Sequence, residues 1–214
     1  MFVANRMTKD PVTVAPDIPV LEAKELLKTH KFRRLPVVRD GKLVGIVTDR
    51  DLRAASASPA TTLSVHELNY LLAKMKVSDI MKKNVLTIAA DATIEEAALV
   101  MYREKIGGLI VVDEQKAPIG IITETDIFKC FVDVMGLNEG KTRLTIGVPD
   151  QIGVLHQITG VFSELGINIG SLALLAGQGV KSEMIIRADI DDLPLLTKKL
   201  GEKGYPVLHV AQIG

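Results

Sequence analysis

One long segment of this chain occurs twice. Sliding the sequence by 74 positions lays Met7-Thr8-Lys9-Asp10-Pro11-Val12-Thr13-Val14 over Met81-Lys82-Lys83-Asn84-Val85-Leu86-Thr87-Ile88. Asp17 then meets Asp91, Ala23 meets Ala97, and Leu35-Pro36-Val37-Val38 meets Leu109-Ile110-Val111-Val112. After one inserted residue, Gly45-Ile46-Val47-Thr48-Asp49-Arg50-Asp51-Leu52 meets Gly120-Ile121-Ile122-Thr123-Glu124-Thr125-Asp126-Ile127. Apolar pattern and punctuation agree together, the signature of a duplicated supersecondary unit.

Each copy reads as β-α-β-β-α. A short strand (Val12 to Val14; Leu86 to Ile88) leads to a helix with Val20, Ala23 and Leu27, or Ile94, Ala97, Ala98 and Met101, on one face. Two strands follow. Asp40-Gly41 is a strong signal for the turn between them, and Glu114-Gln115-Lys116 a weaker one. The second helix starts at Thr48 or Thr123. A unit of about 60 residues buries too little apolar surface to stand alone, so the copies are expected to pack on each other. The expected boundaries are 1–62 and 77–138, with a connecting helix at 63–76 opened by the capping-box pattern Ser64-Val65-His66-Glu67.

From Lys141 the pattern changes. Leu144, Ile146 and Val148 alternate as a strand, and a turn at Pro149 to Gly153 follows. A helix with Leu155, Ile158, Phe162 and Leu165 inward is stopped by Gly166. Strands at Asn168–Leu174 and Lys181–Ala188, a helix capped by Asp191 or Asp192, and a last strand at Tyr205–Val210 complete β-α-β-β-α-β over 141–214. The fold class is α+β, two paired repeats followed by a ferredoxin-like unit.

Composition narrows the function. Lys+Arg and Asp+Glu are 26 each, so the whole chain lacks the positive field that a nucleic-acid polymer rewards. The residues contain no run long and apolar enough for a membrane span and no secretory signal at the start. The one cysteine cannot form an internal disulfide, which fits a cytoplasmic protein. Cys130 falls with Ile127, Phe131 and Val134 at helical spacing and reads as buried core. His30, His66, His156 and His209 form no spaced metal pair, and no nucleophile–base set is visible, so neither an enzyme nor a bound cofactor is expected. Gly136 to Thr142 imitates a P-loop but is one residue short and precedes a strand.

The repeated Thr-x-x-Asp carries the chemistry. It lies where a strand hands over to a helix, and free N–H groups and the helix dipole there favour an anion. A Thr hydroxyl can donate to phosphate, and a carboxylate one turn on can accept from both hydroxyls of a ribose. Thr and Asp can equally cap the helix. The first copy adds Arg33-Arg34, Arg50 and Arg53, where the second has Gly107-Gly108 and Thr125, and arginine forks match phosphate oxygens.

The strings Gly45-Ile-Val-Thr48-x-x-Asp51 and Gly120-Ile-Ile-Thr123-x-x-Asp126, with Leu35-Pro36-Val37-Val38 and Val77-Ser78-Asp79-Ile80-Met81, resemble the CBS domain, and the tandem resembles a Bateman pair. Asp150-x-x-Gly153-Val154-Leu155 and Gly166-Ile167-Asn168-Ile169 resemble an ACT domain. The order is similar to that of acetoin-utilisation-type bacterial regulatory proteins. The resemblance implies a regulatory sensor of AMP, ADP, ATP or S-adenosylmethionine. Asp51 and Asp126 would hold ribose, Thr48 and Thr123 would lie near phosphate, and Arg33, Arg34 and Arg50 would add charge. It further implies an amino-acid site at Asp150, Ile152, Gly153 and Asn168, or an ACT unit that only dimerises. A homodimer and an unidentified regulated partner are expected, and a ligand-free scaffold is the alternative.

Overall fold

The computed structural model describes residues 1–55, 74–176 and 181–212. The connecting helix expected at 63–76 falls mostly outside the described residues. The chain divides into two compact units, Met1–Ile127 and Phe128–Gly214.

Over residues 1–134, of which Met1–Ile127 form the first unit, each copy forms the expected helices and hairpin. In copy one, α1 (Val20–His30) is followed by β2 (Arg34–Arg39), β3 (Lys42–Thr48) and α2 (Asp49–Ala55). In copy two a short α3 (Val77–Ile80) precedes β4 (Thr87–Ala89), α4 (Ile94–Glu104), β5 (Gly108–Val112), β6 (Pro118–Thr123) and α5 (Glu124–Val134). Asp40 and Gly41 both have positive φ (51° and 75°), the geometry of a two-residue hairpin whose twist matches the flanking strands. Lys31 and Lys105 end the two first helices in the left-handed region, at φ 55° and 54°. That repetition of a costly backbone state shows that the copies share their local geometry, not only their pattern.

The short strand expected at Val12–Val14 reduces to Val14, which bridges Val37 in parallel. The corresponding β4 pairs in parallel with β5 over Thr87↔Ile110 to Ala89↔Val112. Each lead-in crosses to the other copy. β1 (Thr8–Lys9) pairs antiparallel with β6 through Thr8↔Ile121 and Lys9↔Gly120. Lys82 and Ile46 make the equivalent bridge, with N···O distances of 2.9 Å in both directions. A Cβ on Gly45 would lie 2.5 Å from Met81 Sδ, and one on Gly120 would lie 3.0 Å from Met7 Cγ. The repeated Met and the repeated Gly are therefore two halves of one contact made twice across the copies.

Copy one closes its core on Val20, Ala23, Leu27, Leu35, Val37, Val47 and Leu52. Copy two buries Ile94, Ala97, Met101, Leu109, Ile110, Val111 and Ile122, while Ala98 is half-buried. The expectation for α5 is corrected. Cys130 is buried, but Phe131, turned 100° from it, is 56% exposed, and Val134, on the same side as Cys130 but at the last residue of the helix, is 58% exposed.

The second unit has a four-stranded antiparallel sheet in the order β10-β7-β9-β8, the ferredoxin-like arrangement. Its strands are β7 (Thr142–Pro149), β8 (Ile169–Leu175), β9 (Lys181–Ala188) and β10 (Val207–Gln212), with α6 (Val154–Glu164) and α7 (Leu193–Glu202) between them. Leu144, Ile146, Val148, Met184 and Ile186 of the sheet meet Ile158, Val161, Phe162, Leu196 and Leu200 of the helices. Leu155, expected inward, is 51% exposed; Val154 and Val161 take the buried stripe instead, one residue round the helix. Asp192 caps α7, its Oδ1 accepting from Leu195 N at 2.9 Å. On the other sheet face Arg187 is buried opposite Arg143, and among the described residues its Nε and Nη1 have no partner.

Candidate functional site

Two cavities in the first unit are built from equivalent parts. The larger, about 310 Å³, is walled by the lead-in Thr8, Asp10, Pro11 and Val12, the segment Lys31–Arg34, and Ile121, Thr123, Glu124 and Thr125 with Gly107. The smaller, about 190 Å³, is walled by Lys82, Asn84, Val85 and Leu86, by Ile106, Gly107 and Gly108, and by Ile46 and Thr48 with Arg34. The repeat maps one set on the other: Asp10 corresponds to Asn84, Phe32 to Ile106, Arg33 to Gly107, Arg34 to Gly108, and Thr123 to Thr48. Each cavity takes its lead-in and pre-strand segment from one copy and its Thr from the other. This follows from the crossing of the lead-ins.

The larger cavity lies at the lower edge of the roughly 300–1,000 Å³ typical of small-molecule sites, and the smaller falls below it. Pro11, Val12, Phe32 and Ile121 give the larger one apolar walls. Phe32, in that wall, is 41% exposed and stacks on His30 with centroids 5.1 Å apart. Lys31, Arg33 and Arg34 supply cations, and Asp10 and Glu124 supply carboxylates.

Both Thr-x-x-Asp pairs form helix caps. Asp51 Oδ2 accepts from Thr48 N at 3.0 Å and from Thr48 Oγ1 at 2.5 Å, and Asp51 N donates back to Thr48 Oγ1 at 3.3 Å. Asp126 Oδ2 accepts from Thr123 N at 2.8 Å and from Thr123 Oγ1 at 2.7 Å. In each case one carboxylate oxygen is committed to the cap. Asp51 Oδ1 also faces Lys82 Nζ at 3.4 Å, a contact between the copies. A carboxylate has about four acceptor positions, so capping leaves room for ribose hydroxyls.

Arg34 Nη2 donates to Gly107 O at 2.8 Å, joining the copies beside both cavities. Burial pushes its guanidinium below the ordinary value; Glu124 opposes this and Arg33 reinforces it. It stays charged, because an arginine so far above neutrality does not lose its proton here. Of the remaining arginines, Arg53 pairs with Asp49 on the surface, and Arg50 is exposed and belongs to neither cavity wall. Of the lead-in residues Asp10, Pro11 and Val12, the sequence reading gives Val12 alone a part, as the start of a strand. Their recurrence as Asn84, Val85 and Leu86 was the available sign of a second role.

In the second unit Asp150, Gly153, Val154 and Leu155 line a hollow of about 140 Å³ with Leu174, Ser182 and Met184. Gly153 caps α6 at φ 89°, a turn that favours glycine. Ile152 is fully exposed, and exposed Asn168 is not in that wall. Among the described residues no group of three or more His, Cys, Asp or Glu could hold a metal ion, and no helix is long and apolar enough to cross a membrane.

The CBS domain model matches residues 3–58 and 77–133, more than half of the chain, and the ACT domain model matches 142–204. The chain belongs to the CBS domain family. It carries a Bateman pair followed by an ACT domain. A putatively named acetoin utilisation protein, AcuB from Vibrio cholerae, is 31% identical, with a TM-score of 0.54, over 65% of this chain and 96% of that one. The CBS domain pair of protein MJ0100, solved with 5'-methylthioadenosine and S-adenosyl-L-methionine, is 31% identical with a TM-score of 0.51, over 61% of this chain and 95% of that one. CBSX2, solved in complex with AMP, is 32% identical with a TM-score of 0.51, over 61% and 96%. The chain spans 94% of a Dictyostelium discoideum CBS domain-containing protein, 37% identical over 136 residues covering 63% of this chain. It spans only 25% of an inosine-5'-monophosphate dehydrogenase of Methanocaldococcus jannaschii, 38% identical over 139 residues covering 64% of this chain.

Proposed function

We propose that the chain is a non-catalytic regulatory sensor whose CBS pair binds an adenine-containing small molecule: AMP, ADP, ATP or S-adenosylmethionine. The observation that carries this reading is the larger cavity, where apolar walls, a cation cluster and Thr123 meet in one place. Adenine would lie against Val12, Ile121 and Phe32. Phosphate or another anionic group would meet Arg33, Arg34 and Thr123. The ribose would use the uncommitted oxygen of Asp126, just outside the wall. Relatives solved with AMP or with S-adenosylmethionine and methylthioadenosine support the ligand class.

Ligand binding would then shift the balance between conformations that a partner protein reads. The ACT domain would add a small amino-acid or metabolite site at Asp150 to Gly153, or hold a homodimer. The closed caps favour a second reading, a ligand-free scaffold in which Thr48–Asp51 and Thr123–Asp126 only start helices. Isothermal titration with AMP, ATP and S-adenosylmethionine separates the two. The sensor reading expects saturable binding of at least one, lost in Asp51→Ala/Asp126→Ala while circular dichroism stays native. It also expects Arg33→Ala to weaken ATP more than AMP. No binding by the parent protein would leave the scaffold.

A further inference from the structure

The two cavities share one guanidinium. Positions 34 and 108 are equivalent in the repeat, yet one is Arg and the other Gly. A Cβ on Gly108 would lie 2.8 Å from Arg34 Cζ and 2.8 Å from Ile122 O, and a Cβ on Gly107 would lie 3.2 Å from Arg34 Nη2. The side chain of copy one thus rests in the space that two consecutive glycines leave open in copy two. Its Nη2 is anchored on Gly107 O at 2.8 Å, and Glu124 of copy two attracts its charge. An arginine at both positions could not be accommodated.

This geometry gives the cavities different capacities. In the larger one Arg34 stands at the wall with Arg33 and Lys31. In the smaller one its guanidinium covers Gly107 and Gly108, the segment whose missing side chains would otherwise give the cavity its depth. The cation that remains on that side, Lys82, is engaged by Asp51 at 3.4 Å. The volumes follow the same order, about 310 against 190 Å³.

We propose that Arg34 limits the CBS pair to one nucleotide per chain, held in the Thr123 cavity, by contributing to that site while closing the Thr48 cavity. The inference rests on the adenine-ligand reading and adds to it an occupancy and the residue that sets it. Arg34 is a specificity-determining residue with opposite effects on the two sites. Its removal weakens the first and opens the second.

Titration calorimetry of the full chain with AMP, and separately with S-adenosylmethionine, tests this. The parent protein is expected to bind one equivalent per chain of whichever ligand it takes. Arg34→Ala is expected to bind two. Its first site should be weaker by roughly tenfold or more if the ligand's anion uses the guanidinium. Arg34→Ser gives a second, more soluble truncation, with circular dichroism reporting the fold of each variant. Two equivalents on the parent protein, or one on both folded variants, would overturn the inference and leave the adenine reading standing. Uptake of neither ligand by the parent protein would overturn both.

Discussion

A methyl group added at Gly120 should destabilise the CBS pair. The new Cβ would lie 3.0 Å from Met7 Cγ and 3.1 Å from Thr8 O, with the Met7 sulfur closer still. The sulfur can swing aside, because a methionine side chain has several soft torsions. The Thr8 carbonyl cannot move far without disturbing the Thr8↔Ile121 and Lys9↔Gly120 pairing that ties the lead-in to β6. Overpacking of this kind costs about 1–3 kcal/mol. Gly45→Ala should cost a similar amount, with Met81 Sδ at 2.5 Å and Lys82 O at 3.2 Å from its new Cβ.

Gly160→Ala gives the contrast. Gly160 sits inside α6 with nothing within 4 Å of its Cβ position, so alanine there should stabilise by about 0.5–1 kcal/mol. The assay is urea unfolding followed by far-ultraviolet circular dichroism, since the chain has no tryptophan for fluorescence. Met7→Ala in the Gly120→Ala background should show a coupling of about 0.5–3 kcal/mol, because it removes the group the methyl strikes. A Gly120→Ala protein as stable as the parent would refute the reasoning, and with it the claim that the repeated Met–Gly pairs fasten the copies together.

The remaining predictions concern single groups. Asp126→Ala should cost about 1 kcal/mol in the same unfolding assay, because Thr123 N and Oγ1 lose their acceptor at 2.8 and 2.7 Å. The Glu96 carboxyl is held below its ordinary value by hydrogen bonds from the backbone and side chain of Thr93. A depressed carboxyl stabilises above its unfolded value, and that contribution fades as pH falls through the folded one. Melting temperature followed from pH 7 into the acid range should therefore drop less steeply in Glu96→Gln, and parallel curves would count against the cap. Burial and the like charge of Arg143 push the Arg187 guanidinium below its usual value. Arg187→Met should raise the stability of the ACT domain by about 1 kcal/mol or more; a loss would mean that this cation is satisfied in the working protein.

The duplicated architecture was readable in the chain because its signals are local and occur twice. Asp40-Gly41 specified a hairpin by chemistry alone, and Val20, Ala23 and Leu27 specified a buried stripe by spacing alone. The pairing of each lead-in with the other copy was not readable, since nothing in Met7 or Gly120 says which copy its partner is in. The Leu155 and Phe131 errors share a cause. In a strongly apolar helix several stripes satisfy the same periodicity, and only the packed neighbour selects one. The site was half legible. The motif marks Thr48 and Thr123, which line the two cavities, while Asp51 and Asp126 lie outside both walls; which Thr faces which arginine depends on the crossing, and Phe32 carried no motif at all.

The crossing also changes what the charge distribution means. The whole chain is neutral, yet residues 1–76 carry 13 basic and 8 acidic side chains while 77–140 carry 6 and 11. Simple attraction between a basic and an acidic copy would place all cross-copy contacts in one direction. The structure has Lys82 of copy two on Asp51 of copy one, and Arg34 of copy one held by the Gly107 carbonyl beside Glu124 of copy two. Contacts run both ways, so attraction of a basic copy for an acidic one does not by itself account for the pairing. Arg33 remains in the wall of the larger cavity, where copy two offers only Gly107 at the equivalent place. Charge reversal there should consequently alter ligand affinity more than stability. Arg33→Glu is expected to abolish AMP binding with a urea midpoint close to that of the parent protein. A large fall in the midpoint with binding retained would assign the excess charge to assembly instead.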